Sequence, residues 1–469
     1  MDKKSFFYNH NNEHYCGDFI PYYDDKSETF HLFYILGNPW HHISTKDFVN
    51  YTYHRVALEG GGPNAQDRDI YTGCVTKIND LYYIYYTGHN GEKDSGVKFS
   101  EVILRATSPD LMTWTKDTEW KLEPDTEHFQ GGAWRDPYIW YQEDEQKYFM
   151  IFTAADKHNI SKRWGCTAMF SSDDCLNWIF DSKAYNPCLN DSHECPDMFK
   201  IGDWYYLIFS CYGRNWENKY RMSKNIRGPW IKPKEDVLDG RAYYAAKTAE
   251  GNGKRYLFGW VSRKEDEEDQ KTYGWSGTLA VHEINQKPDG TLFLTMPDSV
   301  KNAFDKPVSY TPAEKKGEFE INKNEISADA FSGFSYITLG DLDYDKSYLV
   351  KGKIQFNKPE SSAAGLLLRV NNMDLENYYQ IRFDNLKNKL SFERSSNFFQ
   401  NHKFDEERFL NPKNTGVFEF EIIVSGSMIV TYSEDAVLSA RGYDLKEGKL
   451  GFFVEEGAAS LIDLKIFEA

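Results

Sequence analysis

Three acidic side chains in this 469-residue chain stand where carboxyl chemistry could be done. Asp18 lies in Cys16-Gly17-Asp18-Phe19-Ile20, Asp136 in Trp134-Arg135-Asp136-Pro137, and Glu194 in His193-Glu194-Cys195-Pro196-Asp197. A single acid at a strand end is common and carries little weight. Three brought together are another matter, because clustered like charges repel and raise at least one pKa. A carboxyl that keeps its proton near neutral pH is what a general acid needs. Arg135, next to Asp136, supplies a counter-charge. Cys195 beside Glu194 reads as a small packing residue, and His193 has no second ligand at metal spacing, so no metal is expected here.

An internal repeat is what would position the three acids. An aromatic strand recurs five times: TFHLFYIL from Thr29, LYYIYYTG from Leu81, KYFMIFTA from Lys147, WYYLIFSC from Trp204 and RYLFGWV from Arg255. The copies start about 50–65 residues apart, the spacing of four-stranded propeller blades. Short polar turns such as DDKSE, KIND and EDEQ precede them, as hairpins require. A second echo follows in Ser108-Pro-Asp110 and Ser172-Asp-Asp174, with a looser version at Ser44 to Asp47, and reads as tight turns between outer strands. The strand ahead of each polar turn should be the innermost of its blade. Blades one, three and four carry an acid in that strand, whereas blades two and five carry hydroxyls or aromatics. Equivalent positions of a closed propeller converge on one mouth, so Asp18, Asp136 and Glu194 are expected to face one another at one phase of the repeat.

The expected fold is therefore all-β: a five-bladed β-propeller over residues 1–301, a linker over 302–318 and a C-terminal β-sandwich over 319–469. The last part shows shorter alternating strands and no cysteine beyond Cys211. Hydrophobic residues make up 40% of the chain and aromatics 16%, which excludes disorder. A net charge of -17 excludes an extended polyanion such as nucleic acid as partner. No run approaches the roughly 18–20 apolar residues of a membrane helix, and the N-terminal residues lack a signal-peptide core. Seven cysteines at scattered spacings, without a C-x-x-C pair, read as free thiols, and a cytoplasmic protein is the expectation. Nothing in the sequence speaks to oligomeric state.

Trp134-Arg135-Asp136-Pro137 and Glu194-Cys195-Pro196-Asp197 resemble the two signatures of glycoside hydrolase family 32, the invertase, inulinase and levanase family. HLFYILGNPW, TYGWSGTLAV and, in the sandwich, GSMIVTYSEDAVLSARGY resemble further segments of it. The resemblance implies a retaining hydrolase that cleaves β-fructofuranosidic linkages in sucrose-like oligosaccharides or fructans by double displacement, needing no cofactor and acting on an oligosaccharide or small glycoside. It implies that Asp18 is the nucleophile, Glu194 the acid and base, and Asp136 the stabiliser of the developing positive charge. Arg135, Tyr71, Thr72, Trp40 and Trp275 are the expected substrate contacts.

Two departures stand out. The family nucleophile sits in Asn-Asp-Pro-Asn-Gly, where this chain has Gly17-Asp18-Phe19-Ile20-Pro21, and Ile35 replaces a glutamine. Both exchanges remove hydrogen-bond partners from the sugar pocket, so sucrose is expected to be a poorer substrate than a less common fructoside. A second furanosidase activity of the same five-bladed clan, such as arabinofuranoside cleavage, and a sugar-binding propeller without turnover remain alternatives.

Overall fold

The computed structural model describes residues 4–11, 13–212, 216–371, 377–395 and 404–469. Packing divides the chain into two units. One comprises Met1–Val237, Tyr243–Val261 and Trp275–Leu292, the other Leu238–Ala242, Ser262–Gly274 and Phe293–Ala469.

The first unit is the five-bladed propeller. Blade one is the antiparallel sheet Gly17–Asp24, Thr29–Ile35, Trp40–Thr45 and Thr52–Leu58, in that order from the innermost strand outwards. Blades two, three and five begin with Asp69–Ile78, Arg135–Gln142 and Tyr243–Gly251 and are also four-stranded. Blade four begins with Ser192–Ile201 and has three strands, with isolated bridges Met222–Ile231 and Lys219–Val237 beyond its edge. The N-terminal segment closes the ring: Cys16 and Gly277 exchange both backbone hydrogen bonds, and Tyr8 pairs with Leu279. The five aromatic strands are second in each blade, and their burial on both faces explains their near-continuous apolar character. The Ser–Asp turns form as expected, with Asp110 and Asp174 each accepting two backbone N–H bonds from the residues that follow.

One irregularity repeats in all five inner strands. Each breaks register once, with two residues opposing one on the neighbouring aromatic strand: Asp18-Phe19, Tyr71-Thr72, Asp136-Pro137, Cys195-Pro196 and Ala245-Ala246. In four of the five the first of the pair has positive φ, at Asp18 (48°), Asp136 (61°), Cys195 (50°) and Ala245 (50°). Such bulges bend the strand and re-aim its side chains. They also correct the expected phase. Asp18 and Asp136 are equivalent, but Glu194 lies one residue earlier, level with Gly17, Ile70, Arg135 and Tyr244.

The second unit is a sandwich of two antiparallel sheets of eight and seven strands. Its core includes Val350, Ile354, Leu366, Leu368, Phe383, Phe420 and Phe452. The stretch read from sequence as a linker contributes strands to it: Lys306–Val308 pairs with Ala458–Glu468, and Lys315–Lys316 with Phe334–Asp341. Two segments between propeller strands belong to this unit as well, through side-chain anchors. Asp239 accepts the backbone N–H (2.8 Å) and hydroxyl (2.6 Å) of Ser439, and Asp269 accepts the N–H of Tyr443 (2.7 Å) and the hydroxyl of Tyr379 (2.5 Å).

Candidate active site

The bulges place Asp18, Asp136 and Glu194 close enough to perturb one another. The Asp18 carboxyl is pushed up to about 7, first by burial and then by the negative charge of Asp136. Glu194 adds to the rise, while a hydrogen bond from Trp260 and the charge of Lys247 oppose it. Trp260 Nε1 donates to Asp18 Oδ1 at 3.3 Å. Asp136, 3% exposed, is fixed at both ends. Its backbone N–H donates to Thr87 Oγ1 (2.9 Å), and its Oδ2 accepts from the Cys195 N–H (2.9 Å) and lies 3.1 Å from the Thr153 hydroxyl.

Glu194 is held between its register equivalents on the flanking blades. Arg135 Nη2 donates to Oε1 at 2.7 Å and the Tyr244 hydroxyl to Oε2 at 2.8 Å. Arg135 also reaches Ser192 Oγ (3.1 Å) and Glu101 Oε2 (3.5 Å), and Glu101 in turn caps the Trp134 N–H at 2.7 Å. Burial works against the Arg135 charge, but Glu101, Asp136 and Glu194 outweigh it and hold the guanidinium charged. Cys195 is buried beside the acids and its thiol is pushed well above the ordinary range, first by burial, which suits packing and not attack. His193 is fully buried against Tyr185 and Phe209.

An aromatic wall adjoins the acids. Trp216 packs on Tyr244 (centroids 4.3 Å apart), Tyr244 on Trp260 (5.6 Å) and Trp260 on Trp275 (6.4 Å). Trp275 is 47% exposed, so it keeps a face that a sugar ring could cover. It also accounts for Gly17. A Cβ built on Gly17 would lie 2.3 Å from Trp275 Cζ2, so the indole occupies the space that a side chain at position 17 would need. Tyr71 is half-buried and stacks on His89 at 4.6 Å and 13°.

Two expected substrate contacts are placed elsewhere. Trp40 has 0% exposure, packs in the core between blades one and two, and donates its indole N–H to the Tyr71 carbonyl at 3.1 Å. Thr72 is buried on the far side of the Tyr71 bulge, with its hydroxyl enclosed. Neither presents a surface to a ligand. Ile35 likewise lies in the apolar cluster with Trp40 and Leu58, so it is core and not pocket wall. Sequence reasoning missed Trp260, Tyr244, Thr153, Glu101 and the buried Lys247. Tyr244 and Lys247 had one usable signal, the alignment of YYAAK with the other inner strands. The second unit holds a separate cleft of about 460 Å³, but wall charges pair off within it, Lys301 with Glu421 (2.5 Å) and Lys353 with Glu419 (2.6 Å).

A five-bladed propeller with a convergent carboxyl trio and an aromatic wall is the architecture of a carbohydrate-active enzyme. Residues 21–295 match the Glycosyl hydrolases family 32 N-terminal domain and residues 310–468 the Glycosyl hydrolases family 32 C terminal domain; the chain belongs to this family. It is 25% identical over 305 residues to sucrose-6-phosphate hydrolase of Escherichia coli, a match covering 61% of each chain. With sucrose-6-phosphate hydrolase of Zymomonas mobilis (strain ATCC 10988) it shares 26% identity over 389 residues, 76% of this chain and 68% of that one. The exo-inulinase of Aspergillus awamori has the same fold, with a TM-score of 0.75 at 15% identity, covering 100% of this chain and 98% of that one.

Proposed function

We propose that the protein hydrolyses β-fructofuranosidic bonds of sucrose-like oligosaccharides with retention of configuration. The observation that carries this reading is the placement of Glu194 between Arg135 and Tyr244, beside the buried pair Asp18 and Asp136. Asp18 attacks the anomeric carbon of the fructosyl unit and forms a covalent ester. Glu194 gives its proton to the departing oxygen, then takes one from the water that cleaves the ester. Asp136, locked by Thr87 and Cys195, accepts hydrogen bonds from the sugar hydroxyls and stabilises the positive charge that develops on the ring. Trp275 offers an apolar face to the substrate. Asp18 must be ionised to attack, so the acid limb of kcat/KM should fall near pH 7. The relatives named for sucrose 6-phosphate favour a sucrose-like aglycone, phosphorylated or not. A panel of sucrose, sucrose 6-phosphate, 1-kestose, inulin and an aryl arabinofuranoside, with the released sugar identified by chromatography, tests this. Cleavage of the arabinofuranoside alone would replace the reading with the related furanosidase activity. No cleavage of any would leave a sugar-binding propeller.

A further inference from the structure

Blade one carries three histidines that the proposed chemistry does not use. His31, His42 and His54 lie on its second, third and outermost strands, Thr29–Ile35, Trp40–Thr45 and Thr52–Leu58. His31 shares a sheet face with Phe33, whose ring stacks on His42 at 4.3 Å and 13°. One ring nitrogen from each histidine falls within 4.8 Å of the other two. His31 Nδ1 and His42 Nε2 are 2.9 Å apart, and Ser44 Oγ, 2.8 Å from His54 Nε2, steadies the third ring.

The cluster is an unusual thing to bury. His42 is 0% exposed and His31 7%, while His54 is half-buried. Among the described residues no carboxylate hydrogen-bonds any of the three rings, and His42 Nδ1 has no partner at all. A buried polar atom without a partner costs free energy. Imidazole is a preferred ligand of zinc, copper and nickel but not of calcium or magnesium.

We infer that His31, His42 and His54 bind a divalent transition-metal ion of the zinc type. Three imidazoles supply three ligands, and a water from the half-buried His54 side completes the set. Tetrahedral zinc at about 2.0–2.1 Å from each nitrogen holds ligand atoms ~3.3 Å apart, so small ring rotations complete the site. The role is structural. His31 pairs with Tyr22, four residues along the inner strand from Asp18, roughly 13 Å at strand rise. The ion would instead tie down the outermost strand, Thr52–Leu58, most of whose side chains are exposed or half-exposed and contribute little burial.

The test uses untagged full-length protein dialysed against a chelator and titrated with Zn²⁺ or Co²⁺. One equivalent should bind, Co²⁺ should give the intense visible bands of a tetrahedral nitrogen site, and zinc should raise the melting temperature. Activity should not depend on the ion. His54→Ala, half-buried and the mildest change, should weaken binding by more than the roughly 10–100-fold that loss of an outer-shell partner costs. His14→Ala, at an exposed histidine, should leave it unchanged. Equal zinc uptake by wild type and His54→Ala overturns the inference, as does a wild-type melting temperature that zinc leaves unmoved.

Discussion

The inner strands of the propeller and the long strands of the sandwich put their register breaks to different use. Ser347–Phe356 runs against Val417–Ser425 from Ser347–Ser425 to Gln355–Val417 without a break and breaks once against Ala458–Glu468, and its alternate residues fill an apolar core. Every inner strand of the propeller breaks register once, and the break is where the acids sit. A regular strand gives its alternate residues to the faces between neighbouring sheets. A bulge frees a side chain from that alternation and points it along the strand end. The sandwich has left-handed residues at its own breaks, Arg369 (58°) and Asp463 (52°), but neither is a candidate site residue, whereas at Asp18 and Asp136 the same costly backbone carries the acids. Removing a side chain at an inner-strand bulge of the propeller should therefore damage turnover, and removing one in the sandwich core should damage stability.

The largest effect belongs to the acids. Asp18→Asn and Glu194→Gln should each lower kcat by about three orders of magnitude or more. Turnover near wild type in either variant removes the assignment. Asp18→Asn should also reverse the usual sign of a mutation's effect on stability. The folded carboxyl is pushed up to about 7, well above the ordinary aspartate range, so its protonated form stabilises the fold at low pH and that contribution is lost as pH rises through 7. Asparagine stays neutral, so the variant should melt above wild type at pH 8 to 9 and lose that advantage below pH 4. The same titration should set the acid limb of the wild-type kcat/KM profile near pH 7, and an acid limb near pH 4 would show that Asp18 is not buried with its neighbours as described.

A smaller effect is expected at the wall. Tyr244→Phe removes the hydroxyl on Glu194 Oε2 and should lower kcat by about tenfold with little change in KM. Gly17→Asn restores the family residue but forces its Cβ against Trp275, so alone it should reduce activity. Gly17→Asn with Trp275→Ala should recover part of the loss. A single Gly17→Asn variant that cleaves sucrose better than wild type would show that the indole yields and that the lost asparagine is what limits sucrose.

Much of this was legible in the sequence because it is local. Aromatic runs, polar turns and the R-D-P and E-C-P segments fix five blades and three acids without long-range information. The bulge is not local. It is a two-against-one pairing with another strand, and it shifts the face of every residue on one side of it. That is why Glu194 proves to be out of phase with Asp18, and why Thr72 is buried although its neighbour Tyr71 is not. Trp40 was expected at the sugar because tryptophan suits both a stacking face and a core, and only packing distinguishes them. Leu238–Ala242 and Ser262–Gly274 joined the sandwich unit through anchors such as Asp239 and Asp269, whose partners Ser439, Tyr443 and Tyr379 lie 110 to 200 residues away.

The smallest effect on turnover should come from the sandwich, where the comparison can be tested from its other side. Leu366 is fully buried in Ala363–Val370, ahead of that strand's one register break and opposite Ile381 and Phe452, within the core that also contains Leu368. Leu366→Ala should cost about 2–5 kcal/mol, the sum of lost transfer free energy and the cavity left behind. None of its neighbours in that cluster is a candidate site residue, so kcat and KM at 25 °C should stay within about twofold of wild type. Chemical denaturation followed by tryptophan fluorescence measures the first quantity. Because every tryptophan of the chain precedes residue 301, the fluorescence reports the propeller, and far-UV circular dichroism reports both units. Coincident transitions would mean that the sandwich and the propeller unfold as one cooperative system. A circular dichroism transition that moves to lower denaturant while the fluorescence transition stays put would mean that the two units melt separately. A fall in kcat at full stability would sink the division of labour, since it would place chemistry under the control of a sandwich core position whose cluster holds no candidate site residue.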